Sequence, residues 1–206
     1  MNKLKTFFSI ANFFIFCLLS LTGAFAQTDV KKQAEPVYEV FLQTLVASNS
    51  AGAKTDVPQT LAGVIKKLKN NYTFNTYRVT STYLERVSNT GSVDFKSLAK
   101  GLDQNQENTS PVFSEWTLNG LQSMQNSRGQ NSIQFQGFRF GQRIPIRTGD
   151  FKNEGGKGSS VINYEHIGLT LSKSGLPINE PTVIGSLSTA NEELIFLVLT
   201  INLMEN

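Results

Sequence analysis

The sequence predicts an α+β fold that is predominantly antiparallel β: one helix packed on a small N-terminal sheet, followed by a β meander or sandwich. Three observations predict it. Only the stretch from Asp56 to Asn70 repeats its apolar residues at a helical period. Most of the remaining chain alternates apolar and polar residues between turn signals, as half-buried strands do. The last apolar run, Leu194 to Ile201, does not alternate, which is the pattern of a strand covered on both faces.

The elements follow in order. Val37 to Val46 is rich in Val, Leu, Phe and Tyr and reads as a strand. Ala47 to Lys54 is a loop of small residues. In the helix, Asp56 or Thr55 is placed to cap and Pro58 suits the first turn. Leu61, Val64, Ile65 and Leu68 form its apolar stripe, while Lys66, Lys67 and Lys69 face water at the end where the helix dipole favours cations. Period-two alternation starts near Phe74 and runs to Val87. Asn89-Thr90-Gly91 then marks a turn into a strand at Val93–Lys96. After a polar loop from Leu102 to Ser110, Val112–Met124 reads as a strand. Ile133–Ile146 reads as one long strand or a hairpin, Gly149–Ser160 as a loop, and Val161–Leu171 as an alternating strand. Pro177–Pro181 is a turn, Thr182–Gly185 is short and extended, and Leu194–Leu203 closes the fold. For that closing strand the simplest reading is the centre of a sheet, covered by the helix on one side and another layer on the other. A subunit or lipid face is the alternative.

The first 26 residues read as a signal peptide. Lys3 and Lys5 give a positive start, Phe7–Leu21 an apolar run, and Ala24-Phe25-Ala26 the small-residue pattern of a cleavage site before Gln27. The only cysteine, Cys17, lies inside the apolar run, so the mature chain has no disulfide, thiolate metal site or cysteine nucleophile. The 206-residue chain carries 19 basic and 16 acidic residues, a net charge of +3. Removing Lys3 and Lys5 leaves 17 − 16, or +1, for residues 27–206. That balance argues against a nucleic-acid binder, which needs a clustered basic face. Length and composition also exclude a multi-pass membrane protein, a disulfide scaffold and a long coiled coil. Beyond the leader, the expected organisation is a strand-helix-strand-strand subdomain over 27–101 and a β-rich subdomain over 110–206.

No catalytic, metal or cofactor-binding residues are expected. His166 is the only histidine, without the partner histidines or cysteines of a metal site, and no G-x-S-x-G elbow is present. It is read as a structural or surface residue. Glu192-Glu193 reads as a solvated turn. Gly155-Gly156-Lys157-Gly158-Ser159 lacks the spacing of a phosphate loop and reads as a hairpin tip. Phe135, Phe138 and Phe140 with Arg139, Arg143 and Arg147 could stack bases, but one buried strand face explains the aromatics better.

One stretch carries family information. Phe140-Gly141-Gln142-Arg143-Ile144-Pro145-Ile146-Arg147-Thr148-Gly149 precedes the Gly-rich loop, and Val161-Ile162-Asn163-Tyr164-Glu165-His166-Ile167-Gly168-Leu169-Thr170-Leu171 follows it. The order of these two halves, over about residues 137–171, resembles a segment of the bacterial secretins. Those proteins form the outer-membrane rings of type II and type III secretion and of type IV pili. The chain departs from the family by lacking several ring-forming N-domains, a multi-hairpin barrel and a terminal aromatic residue, and no long alternating hairpin pair is evident in it. The resemblance therefore implies a short secretin-like or secretin-associated protein.

The expected function is that of an exported, non-enzymatic cell-envelope protein, a structural or assembly component with secretin-like strands. Its expected location is the periplasm, the outer-membrane periphery or the extracellular space of a bacterium. Its expected partners are proteins of an envelope assembly or further copies of itself, with room for peripheral membrane association. A soluble periplasmic or secreted ligand-binding module is the alternative.

Overall fold

The computed structural model describes residues 35–50, 54–99, 110–152, 158–189 and 192–204. The signal-peptide reading of 1–26, most of the polar loop after Leu102 and the Gly-rich tip at 153–157 lie outside the described residues.

Nine strands and one helix follow one another along the described chain: β1 (Val37–Ser48), α1 (Ala62–Asn71), β2 (Thr76–Ser88), β3 (Ser92–Ala99), β4 (Val112–Asn119), β5 (Gln122–Gln125), β6 (Asn131–Lys152), β7 (Gly158–Pro177), β8 (Thr182–Ser188) and β9 (Leu194–Met204). The protein is mostly antiparallel β with one short helix, as the alternation predicts. The strands form two sheets. The first has the order β2-β1-β9-β8. In the second, β3-β4-β6 are neighbours, β5 continues along the β4 edge of β6, and β7 pairs with the other edge.

Strand β9 explains the architecture. Its Ile195, Leu197, Leu199 and Ile201 join Tyr38, Val40 and Leu42 of β1 and face Trp116, Leu118, Phe138 and Phe140 of the second sheet. Its Phe196 and Val198 point the other way, onto Leu61, Val64 and Leu68 of the helical segment. The order of layers is thus helix, first sheet, second sheet, and the unbroken apolar run of β9 lies in the middle. The central-strand reading of Leu194–Ile201 is the correct one. Each buried aliphatic chain at these positions contributes about 1.5–3 kcal/mol.

The helical segment differs from its expected start. Asp56 and Thr55 do not cap it. Asp56 instead forms a one-residue parallel bridge to Arg78 of β2, donating its N–H to the Tyr77 carbonyl and accepting from the Val79 N–H. The Tyr77 N–H reaches Thr55 Oγ1 at 3.4 Å. A single 3-10 turn, Gln59–Leu61, follows Pro58 and leads into α1. The predicted stripe is in place: Leu61, Val64 and Leu68 are buried, and Ile65 packs partly against them.

Strand phase also shifts where the sequence does not announce it. Leu118 and Leu121 are three apart yet both buried, as are Phe135 and Phe138 opposite them. The slip lies at Gly120, whose φ of +66° turns the chain between β4 and β5.

Two expectations need correction. The 149–160 loop is instead mostly strand: β6 runs to Lys152 and β7 starts at Gly158. A bulge between Arg147 and Gly149 absorbs the extra residue, so pairing continues past the glycine. A long alternating hairpin is therefore present, contrary to the sequence reading. Nor does the 102–109 segment divide the hydrogen bonding. β1 pairs with β9, β3 pairs with β4, and residues 36–206 form a single unit. Sheet pairing joins strands far apart in sequence, which local composition does not encode.

Candidate functional site

Three places gather chemistry-bearing side chains or unpaired strand edges. The first is the solvent-facing side of the second sheet. Cross-strand pairing aligns Lys96, Glu115, Gly141 and Gly168 in one row. Lys96 Nζ lies 2.8 Å from Glu115 Oε1, and Arg143 Nη1 lies 3.9 Å from the same oxygen. The hydrogen bond from Lys96 holds the Glu115 carboxyl below its ordinary range. The Arg143 guanidinium sits 5.6 Å from the Tyr164 ring centre, and Tyr164 meets Phe113 at 5.9 Å. The His166 ring occupies the space a side chain at Gly141 would take: a Cβ there would come within 2.5 Å of its Cε1 and Nε2.

Burial lowers the His166 pKa, and the nearby Arg139 lowers it further. Its Nε2 is buried without a hydrogen-bond partner. The ring packs over Gly141. Among the described residues no group of three or more His, Cys, Asp or Glu side chains is placed to hold a metal ion.

The second place is a cavity of about 740 Å³ at one end of the sandwich. Strands β2 and β3 are joined by the Asn89–Gly91 turn, where the Gly91 N–H bonds the Ser88 carbonyl, but they enter different sheets. The two strands diverge, and the cavity lies between them. Residues 78–83 of β2 and 97–99 of β3 line it, with Phe140 and Ile195 among its apolar walls. Its polar lining is hydroxyl-rich, and Thr44 Oγ1 lies 2.8 Å from Thr80 Oγ1. Arg78 and Glu193 pair at 3.6 Å. The sequence reading did not single out these residues. A signal was there: Thr80-Ser81-Thr82 puts three hydroxyls in a row where β alternation elsewhere supplies an apolar residue, and Gln142 interrupts Phe138, Phe140 and Ile144.

The third place is the β6–β7 hairpin, whose strands have 22 and 20 residues. β4 accompanies β6 only as far as Arg143, so Ile144–Lys152 of β6 pairs with β7 alone among the described residues. The far edge of β7 pairs with no described strand. Ile146, Ile162 and Ile167 are exposed along this arm. Near its end Arg147 binds Asp150, which also accepts from Ser160 Oγ at 3.2 Å.

No family model matches the chain, and no curated protein matches it. Among solved structures it is similar to the InvG secretin domain β-barrel of the Salmonella SPI-1 injectisome, at 9% identity and a TM-score of 0.34, over 86% of this chain and 66% of that one. It is also similar to the Salmonella SPI-1 type III secretion injectisome secretin InvG (residues 176 to the end, open gate state), at 9% identity and a TM-score of 0.29, over 83% of this chain and 58% of that one. The chain thus spans about two thirds or less of the length of these structures, and the likeness is weak.

Proposed function

We propose that the chain is an exported, non-enzymatic component of the bacterial cell envelope that assembles by strand pairing, with the β6–β7 hairpin as the pairing element. One observation carries this reading. The described residues of the secretin-like segment, 137–152 and 158–171, fall within β6 and β7, and that hairpin is the one that overhangs its sheet. Unpaired N–H and C=O groups on a strand edge are a template for another strand. At about 3.3 Å per residue the β7 edge offers roughly 65 Å of it. The partners are further copies of the chain or proteins of an envelope assembly; the nearly neutral mature chain does not favour nucleic acid. The location is the periplasm, the outer-membrane periphery or the extracellular space.

Fractionation and cross-linking of the full chain in a secreting bacterium test the proposal. The expected result is an oligomer that dissociates on heating and sediments with membranes, and that reverts to monomer when residues 148–161 are replaced by a short turn. A soluble monomer at every concentration overturns it. That outcome would favour the second reading, a soluble ligand-binding module, which the cavity between β2 and β3 supports.

A further inference from the structure

We propose that the slot between β2 and β3 binds an extended, uncharged polypeptide segment of another protein, which adds as a strand to the free edge of β2. The argument starts from how the slot is walled. Six consecutive residues, 78–83, and three more, 97–99, line it. A side-chain pocket takes every second residue of a strand, whereas a consecutive run means that the strand edges themselves border the space. Both are edges: β2 ends the first sheet and β3 the second.

The β2 edge already accepts a strand at one end. Asp56 bridges it in parallel, its N–H on the Tyr77 carbonyl and its carbonyl on the Val79 N–H. The chain then turns away at Pro58, and β2 beyond Val79 has β1 as its only strand partner among the described residues. Past that bridge a bulge at Thr80 shifts the register by one residue, since Leu45 pairs with Val79 and Thr44 with Ser81, and the edge that a further strand can use resumes at residues 81–83. In such binding, main-chain hydrogen bonds supply affinity and alternate side-chain sites supply selectivity.

The lining sets the chemistry of the occupant. Its two charges, Arg78 and Glu193, pair with each other. The other polar lining residues are hydroxyl-bearing Thr44, Thr80, Ser81, Thr82, Tyr83, Ser97 and Thr189 and the amide Gln142, with Phe140 and Ile195 beside them. An unpaired charge here would lose solvation without a countercharge. Alternating small polar and aliphatic side chains match hydroxyls on one side and apolar walls on the other. This surface includes Phe140 and Gln142 of β6 but none of the overhanging residues 144–165, so the proposal stands or falls independently of the assembly reading.

The test is selection of a phage-displayed random heptapeptide library on the full mature chain, followed by fluorescence anisotropy with the recovered peptides. The expected result is enrichment of uncharged, alternating sequences. N-methylation of alternate backbone amides should then weaken binding at least tenfold, because it removes main-chain donors and leaves side chains in place. Thr82→Lys, at an exposed position, should weaken binding at least tenfold with an unchanged circular-dichroism spectrum. Thr82→Pro should do the same by removing a donor, and Thr82→Lys serves alone if the proline variant fails to fold. No enrichment, enrichment of charged peptides, binding indifferent to N-methylation, or binding indifferent to Thr82→Lys overturns the proposal.

Discussion

At the scale of single residues, the layered core makes sharp demands. Leu197 and Val198 are both fully buried and point to opposite faces of β9, one to the second sheet and one to the helix. Leu197→Asp and Val198→Asp should each unfold the monomer, since each buries a carboxylate with no partner; circular dichroism and gel filtration of both variants check this. A folded protein from either substitution would contradict the three-layer order. Gly168 is equally constrained. A Cβ there would lie 2.0 Å from the Phe140 carbonyl oxygen and 2.6 Å from the Gly141 Cα, backbone atoms that cannot swing away. Gly168→Ala should cost about 1–3 kcal/mol, the usual range for overpacking, measurable by urea denaturation. His166 makes stability depend on pH. Its folded pKa lies below the ordinary value of 6.5, so the unfolded chain takes up the proton first. The associated stability is fully present above 6.5 and is lost as pH falls through the folded value. The denaturation midpoint should therefore drop between pH 7.5 and 5, and a His166→Asn variant should show a shallower drop over that interval.

At the scale of elements, α1 and the 3-10 turn before it offer a matched set of predictions. Leu61→Ala and Leu68→Ala should each cost about 2–5 kcal/mol, while Lys66→Ala and Lys67→Ala should stay within about 0.5 kcal/mol. Equal effects at the two sets would refute the buried face. Gly63 sits on the exposed side of the helix with nothing within 4 Å of where a Cβ would stand. Gly63→Ala should raise stability by about 0.5–1 kcal/mol, the helix-propensity difference, and with it the melting temperature. The helix and most strands were legible in the sequence because each carries its own period: the Leu61–Leu68 stripe, the alternation from Phe74, the apolar run of β9. What was not legible depended on partners. Asp56 has the chemistry of a cap, but its backbone is taken by β2. Gly149 resembles a loop residue until the bulge opposite β7 accommodates it. Gly120 shifts the phase of two strands together. The cavity was hidden because its residues come from β1, β2, β3, β6, β9 and the segment before β9, and only pairing brings them together.

At the scale of the whole molecule, secretion and assembly are the measurable quantities. Mass spectrometry of the exported chain should find a new N-terminus within a residue or two of Gln27; an intact Met1 would remove the case for export. The neighbouring positions of β1 and β9 have a further consequence. Val37 pairs with Met204, and the two strands remain in register through Ala47 and Leu194. The centre of the first sheet is therefore assembled from segments far apart in sequence. Strand β9 must be available before that centre can close, and contacts so distant in sequence place folding toward the millisecond-to-second end of the range for single domains. A polypeptide that cannot complete its core early remains threadable through a narrow translocation channel while it is being made. The same arrangement makes folding all-or-none with respect to length: a ribosome-released fragment ending before Leu194 leaves β1 without its central neighbour and should be degraded rather than accumulate.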